Sequence, residues 1–496
     1  MTAETESSQA TPSLGRKVGR GALWSLANNV VLRLGTLAAG IALARILSPT
    51  DYGVFAVALV AMTLLQAFNE LGVSLALVRW ERPVQEFAGT AMTIAMGFSA
   101  GLYGLVYVLA PPFCEAMGSP NAVGVLRVLC IAVVMDGIAA VPAAILNREF
   151  MQGKRFVSDA LSFVVVTSLT VVLALSGFGA MSFAIGRIGG NIVSVVTYLK
   201  LCPVKLKPAW DRLVAKELVR FGLPLAGSSL LVLSVTNIDK IIIGGWTNEV
   251  ALGLYLMAFN QSSLPLQVFS EAARRVSLAG FSRMVDDPPR LSRSLARGVA
   301  LLMVASVPIC TGLACYAAPM LSAVYGPQWT TAAAALQILA VLGLVRIVLF
   351  IGYDLLVAMD GNRVLLILQG IWLVAMVPSV IVGTQLDGIR GASIAQLLVA
   401  AVVVLPAFVV VLRRRGLDLW PTVVACRRPV IGALLIVAGA FAVHAWVSGP
   451  WQQLLAGIAV SVVVYVPVVL PMRALLPGRS SSPSSSSPSS SSEVSA

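Results

Sequence analysis

Ser25, Asn29, Arg33, Thr36 and Gly40 are spaced 4, 4, 3 and 4 residues apart inside an otherwise apolar run. On a helix that spacing puts all five on one face. Small and hydroxylated residues on such a face suit helix packing, but a mid-run guanidinium is not something a packing seam requires. A charge at the centre of a hydrocarbon layer costs roughly 2.5–3.5 kcal/mol on insertion scales, so it is expected to face protein or water. Arg33 is read as facing a cavity, with a buried ion pair as the competing reading. Two hundred residues on, Ser229, Leu233, Thr236 and Lys240 repeat the face, with the cation moved to the equivalent of position 40. Seven residues span about 10 Å of helix, so the two cations should lie at different depths. Asp239 adjoins Lys240, but neighbours point about 100° apart on a helix, so it need not neutralise it. Thr63, Gln66, Glu70 and Ser74 line a face of the second run, and Asn260, Gln267 and Glu271 one of the eighth.

The chemistry these residues offer is hydrogen bonding and charge compensation. The cavity candidates are Asn29, Arg33, Gln66, Glu70, Lys240, Asn260, Gln267 and Arg346. The deep charges Arg127, Asp136, Arg187, Arg346 and Asp354 also suit ion pairs or water contacts within the bundle. Arg127 and Asp136 lie nine residues apart, on opposite sides of a helix, and cannot pair directly. No glycine-rich phosphate loop, Walker pattern or Ser/His/Asp spacing occurs. The six cysteines are scattered without a CxxC or Cys/His cluster, and the lone His444 reads as a satisfied side chain. No cofactor, metal or ATP hydrolysis is expected, and the chain is not expected to be an enzyme.

Such residues need long apolar helices to carry them. Fourteen mainly apolar stretches of 18 or more residues are long enough to cross a bilayer. They run 20–44, 54–78, 88–111, 121–146, 156–176, 179–200, 221–245, 250–273, 297–319, 331–357, 363–383, 388–412, 429–447 and 451–470. The chain is 58% hydrophobic and 11% charged, which excludes an ordinary soluble globule. Of its 35 Lys and Arg, 28 fall in every second connection, and the intervening ones hold only Arg45 and Arg390. The positive-inside rule then places both termini in the cytoplasm of a multi-pass inner-membrane protein. A net charge of +13 is a basic rim facing anionic membrane lipid, so no nucleic-acid partner is implied. Residues 1–15 are polar and the first apolar run is too long for a signal sequence, so it reads as a retained span.

An internal repeat organises the spans. Residues 51–55 align with 251–255 at an offset of 200, 126–129 with 336–339 at 210, and 153–155 with 361–363 at 208. Six spans separate the copies, an even number, so the halves share one orientation: a parallel repeat about an axis normal to the membrane, with a cavity between. The expected fold is an all-α membrane protein of two six-helix lobes plus a C-terminal helix pair. Its parts are a cytoplasmic segment 1–19, lobes 20–200 and 221–412, and an amphipathic linker 201–220. A basic loop with helices 13 and 14 follows over 413–470. The remainder, 471–496, is a Ser/Pro-rich cytoplasmic tail expected to be disordered.

Residues 21–25 (GALWS), 43–53 (LARILSPTDYG), Glu70-Leu71-Gly72 and 76–79 (ALVR) resemble the polysaccharide-transporter (Wzx-type) flippases of the MATE-like exporter superfamily. The likeness is most specific over 20–82, and the span layout extends it to about 470. In the LARILSPTDYG turn, proline and glycine shape the chain and Asp51 can cap the next helix. The resemblance implies transfer of undecaprenyl-diphosphate-linked oligosaccharide from the cytoplasmic to the periplasmic leaflet, for exopolysaccharide, capsule or O-antigen assembly. It implies as partners the lipid-linked substrate, membrane lipids, and a polysaccharide polymerase with its export machinery. Fixed cations in a low-dielectric cavity suit a diphosphate, and Asn, Gln, Ser and Thr suit sugar hydroxyls. A carboxyl such as Glu70 in a semi-dry cavity suits proton exchange. The alternatives are a peptidoglycan lipid II flippase and a cation-coupled multidrug exporter, although the latter would favour an acidic cavity.

Overall fold

A computed structural model describes residues 35–69, 84–149, 151–204, 206–282, 284 and 287–475. These residues are almost entirely helical, with no strand among them. The helices are α1 Gly35–Ile46, α2 Pro49–Asn69, α3 Val84–Ala116, α4 Ala122–Arg148, α5 Gln152–Leu175 and α6 Met181–Leu201. There follow α7 Arg212–Trp246, α8 Glu249–Ser282, α9 Pro288–Cys315 and α10 Ala333–Ala358. The stretch 363–414 is 52 residues long but reverses at Asp387 (φ −148°) and Gly388 (φ 52°), making α11 (362–386) and α12 (389–414). Gly388 lies in the left-handed region, where glycine carries no Cβ penalty. Gly383 and Gly391 then face each other so closely that a Cβ on either would strike the other's carbonyl. The last two are α13 Trp420–Trp446 and α14 Pro450–Val469. Ten stretches among the described residues are long and apolar enough to cross a membrane. The all-α membrane fold stands, while the count of fourteen spans stays an expectation.

Helix starts follow local chemistry. At α2, the Ser48 hydroxyl accepts from Asp51 N (3.2 Å) while Asp51 accepts from Ser48 N (3.0 Å), a reciprocal cap. The second Asp51 oxygen accepts from Ala180 N at 3.2 Å, fastening the start of α6. At the repeat offset of 200, Asn248 caps α8, accepting from Ala251 N at 2.9 Å. Asp211 caps α7 through Leu213 N and Val214 N, so α7 runs unbroken from residue 212 through the seventh apolar stretch.

The chain divides into two compact units. One comprises the described residues of Met1–Gln261, Ala317–Leu339 and Gln369–Val399; the other comprises those of Ser262–Tyr316, Ala340–Leu368 and Ala400–Ala496. In the first unit, Phe87, Ala88, Ala91 and Met92 of α3 pack on Val141, Ala144 and Ile145 of α4 and on Leu218 of α7. Residues 206–211 lie over this core without helix: Thr93 Oγ1 donates to Ala209 O (2.8 Å) and Asp211 N to Thr90 Oγ1 (3.1 Å). In the second unit, Tyr316 packs with Ala440 and Val443, and the Gly457 backbone lies against its ring. Tyr465 of α14 donates to Val304 O of α9 at 2.9 Å. The Tyr316 ring stacks on His444, whose Nδ1 sits 2.8 Å from Ala440 O, giving that histidine a local partner.

Candidate functional site

Lys240 and Gln66 anchor two polar networks in the first unit. Lys240 of α7 is buried, at 7% exposure. Its ammonium lies 3.5 Å from Asp239 Oδ1 and donates to Asn237 Oδ1 at 3.2 Å. The ammonium also sits 4.1 Å from the Phe259 ring centroid, a cation–π geometry. Asp239, 1% exposed, accepts from Tyr255 OH of α8 at 2.6 Å, and Tyr255 OH accepts from Gln396 Nε2 of α12 at 2.6 Å. The neighbouring carboxylate therefore pairs with Lys240, an outcome the sequence spacing had left open. The two Cα–Cβ directions diverge, but a four-carbon stem lets the ammonium swing back. Three helices thus hold one ion pair, a cluster that sequence spacing did not reveal. A signal lay in the repeat, where Tyr255 matches Phe55. Phe55 stacks on Phe183 (4.3 Å between centroids), whereas the extra hydroxyl of Tyr255 binds Asp239.

The second network joins α2, α4 and α6. Gln66 Nε2 lies 3.5 Å from Asp136 Oδ2, and Asn191 Nδ2 donates to Asp136 Oδ1 at 2.9 Å and to Ala132 O at 3.3 Å. Asn191 was not singled out in the sequence. Arg127 goes elsewhere: it donates to Tyr107 O (3.2 Å) and sits 4.1 Å from the Tyr107 ring centroid.

Asn260 and Gln267 are exposed and seven residues apart on α8, about two turns along one face. Gln261, beside Asn260, instead accepts from Tyr325 OH at 2.9 Å. Burial pushes the Tyr325 hydroxyl up to about 12, partly offset by that hydrogen bond, so it stays a neutral donor near pH 7. Arg346 of α10 is half-buried in the second unit. Asn29, Arg33 and Glu70 lie outside the described residues.

One end of the first unit is fastened by crossed contacts. Trp329, fully buried, donates through Nε1 to Ala44 O (2.8 Å), and Gln328 Nε2 donates to the same carbonyl (3.0 Å). Arg45 Nε donates to Val324 O at 2.8 Å, and its Nη2 to Ala323 O. These carbonyls end a short helical segment, Leu321–Tyr325, where a cation complements the helix terminus. Arg45, one of two cations breaking the charge asymmetry, is thus locally employed. The other, Arg390, sits 3.6 Å from Asp387. On the opposite side of the clasp, buried Ser119 donates to Glu249. At the repeat offset of 210, Ser119 corresponds to Trp329. Between them Gly53 packs against the Glu249 backbone, and Gly253 against Pro49 and Gly53. The glycines matched by the internal repeat therefore touch one another.

The described residues form a bundle of long apolar helices with buried polar networks, an all-α membrane-protein fold. Solved structures share it. A lipid II flippase MurJ in an inward closed conformation aligns at TM-score 0.73 and 14% identity, over 91% of this chain and 99% of that one. An inward-facing multidrug-resistance MATE transporter of the MOP superfamily aligns at 0.61 and 17%, over 78% and 94%. Residues 42–334, more than half the chain, match the family described as "Polysaccharide biosynthesis protein", and the chain belongs to that family. It is 28% identical to the succinoglycan biosynthesis transport protein ExoT of Rhizobium meliloti (strain 1021), over 94% of this chain and 96% of that protein. It is 21% identical to the lipopolysaccharide biosynthesis protein WzxC of Escherichia coli (strain K12), over 81% and 82%. The chain is a multi-pass bacterial membrane protein, as the resemblance in the 43–53 turn implied.

Proposed function

We propose that the chain translocates oligosaccharide repeat units linked to undecaprenyl diphosphate from the cytoplasmic to the periplasmic leaflet of the inner membrane, for delivery to a polymerase and export machinery. The full-length similarity to a succinoglycan biosynthesis transport protein carries this reading. Both termini are cytoplasmic in it, and lobes 20–200 and 221–412, joined by 201–220, rock about a central site, with 413–470 appended. In this reading the contacts of Trp329 and Arg45 and the Ser119–Glu249 bond lie at the periplasmic end, an orientation supported by the charge asymmetry of the connections. The chain performs no bond-making chemistry.

Arg33 meets the diphosphate first, and Gln66, Asn260 and Gln267 offer hydrogen bonds to sugar hydroxyls. Lys240 is held in reserve by Asp239 in this state. A diphosphate oxygen replacing the Asp239 carboxylate would free that acid as the cation is captured. Arg346 adds a third cation from α10, and Glu70 is the carboxyl suited to proton coupling. A lipid II flippase is the second reading, favoured by the likeness in fold to MurJ.

Deleting the gene separates the readings. Loss of surface polysaccharide, accumulation of lipid-linked repeat units in the inner leaflet and normal peptidoglycan synthesis are expected. Normal polysaccharide with accumulating lipid II would make the protein a peptidoglycan flippase. Drug hypersensitivity as the sole defect would make it an exporter.

A further inference from the structure

A cleft of about 650 Å³ opens within the second unit between α9, α10, α12 and α13. Leu295, Val348, Gly352, Phe408 and Leu412 form its apolar wall, and Val430 and Ile431, both exposed, form part of its rim. An exposed rim of this kind opens the cleft toward the lipid-facing side. Thr422 and Arg427, five residues apart on α13, also line it. Thr422 Oγ1 is buried and has no hydrogen-bond partner, a state that costs free energy unless a ligand supplies an acceptor.

The surroundings specify that acceptor. Arg413, Arg414, Arg415 and Arg428 flank the same connection, against one acid, Asp418, whose carboxylate is engaged by Trp420 N at 2.9 Å. Trp420 is 68% exposed and sits beside this basic end, the place of an interfacial aromatic. Pro429 follows Arg428 and marks where the buried part of α13 begins. Between Thr422 and Ile431 the helix rises roughly 13 Å, a depth suited to an alkyl chain.

We propose that this cleft is a binding site for an anionic glycerophospholipid of the leaflet facing the arginine-rich connection. One acyl chain lies along Leu295, Val348 and Phe408, and the phosphate accepts from Arg427 and the Thr422 hydroxyl. Basic pockets between membrane helices hold anionic headgroups in this way. The site is separate from Lys240 and Gln66 and holds a resident lipid, not the transported cargo.

Native mass spectrometry of the purified full-length protein tests it, with phosphatidylglycerol and phosphatidylcholine of identical acyl chains added in equal amounts. Phosphatidylglycerol adducts should dominate on the unaltered protein. The Thr422→Val/Arg427→Gln double variant should lose that preference by about fivefold or more, the change that about 1 kcal/mol per basic residue produces. Arg427→Lys should keep most of it, and Lys207→Gln, on an exposed side chain of the first unit, should leave it unchanged. Equal retention of the two lipids, or full preference in the double variant, would overturn the site. Displacement of phosphatidylglycerol by equimolar undecaprenyl phosphate would assign the cleft to the transported lipid and overturn the resident-lipid proposal.

Discussion

At the scale of single residues, the informative group is the pair Asp239–Lys240. Its charges are 1% and 7% exposed, so removing one leaves the other buried and uncompensated. Breaking a buried pair in this way costs about 3–5 kcal/mol, whereas removing both partners costs far less. Lys240→Ala should therefore lower the amount of folded protein in the membrane, and Lys240→Ala with Asp239→Asn should restore it. If Lys240 also binds the diphosphate, the restored double variant should still fail in polymer export. Full export from a well-expressed double variant would leave Lys240 a purely structural cation. Arg33→Lys should keep more transport than Arg33→Gln, since charge matters most, yet lose some because bidentate contact with phosphate is gone. The sequence displayed Lys240 as a cation in an apolar helix, but not the partners of its ion pair. Tyr255 and Gln396 reach Asp239 from α8 and α12, and only the packing of three helices brings them together.

Whole elements were more legible, because their signals are local. Ser48, Asp51, Pro49 and Gly53 announce a turn and a capped helix, and α2 starts there. The 201–220 segment carried an amphipathic pattern; residues 212–220 are helical and form the start of α7, while 206–211 are not helical. No local signal could show that Ala209 and Asp211 would be tied to Gly89, Thr90 and Thr93 of α3. Glycines likewise could be read as turn formers but not as contact points. Gly253 lies so close to Pro49 and Gly53 that any Cβ must push α2 and α8 apart, while Gly298 in α9 has open space around it. Gly253→Leu should then destabilise by at least the 1–3 kcal/mol typical of overpacking. Gly298→Ala should be neutral or stabilise by about 1 kcal/mol, because alanine is the better helix former. Thermal melts of the two purified variants check this, and a Gly253→Leu protein that melts like the unaltered one would refute the close approach.

For the molecule as a whole, the arrangement rests on a count of charges. Twenty-eight of 35 Lys and Arg lie on one set of connections, and the two exceptions, Arg45 and Arg390, have local partners. An asymmetry this steep orients a polytopic chain during insertion, so its reading as topology does not depend on tertiary contacts. The proposed lobes with a cavity between them are different: they would depend on long-range packing that the weak repeat only hints at. The Ser/Pro tail lies outside the described residues, and its removal after Arg479 should leave export intact. The orientation itself is open to direct measurement by labelling single cysteines in a background lacking the six native ones. Ser119 is a poor reporter because it is buried and bonded to Glu249, whereas Thr330, Ser448, Lys207 and Arg290 are all exposed. A membrane-impermeant thiol reagent added to intact cells with a permeabilised outer membrane should label Thr330→Cys and Ser448→Cys. It should reach Lys207→Cys and Arg290→Cys only after the inner membrane is opened. The reverse pattern would invert the protein, placing the arginine-rich connections and the proposed lipid cleft in the outer leaflet. The Trp329 contacts would then lie at the cytoplasmic end.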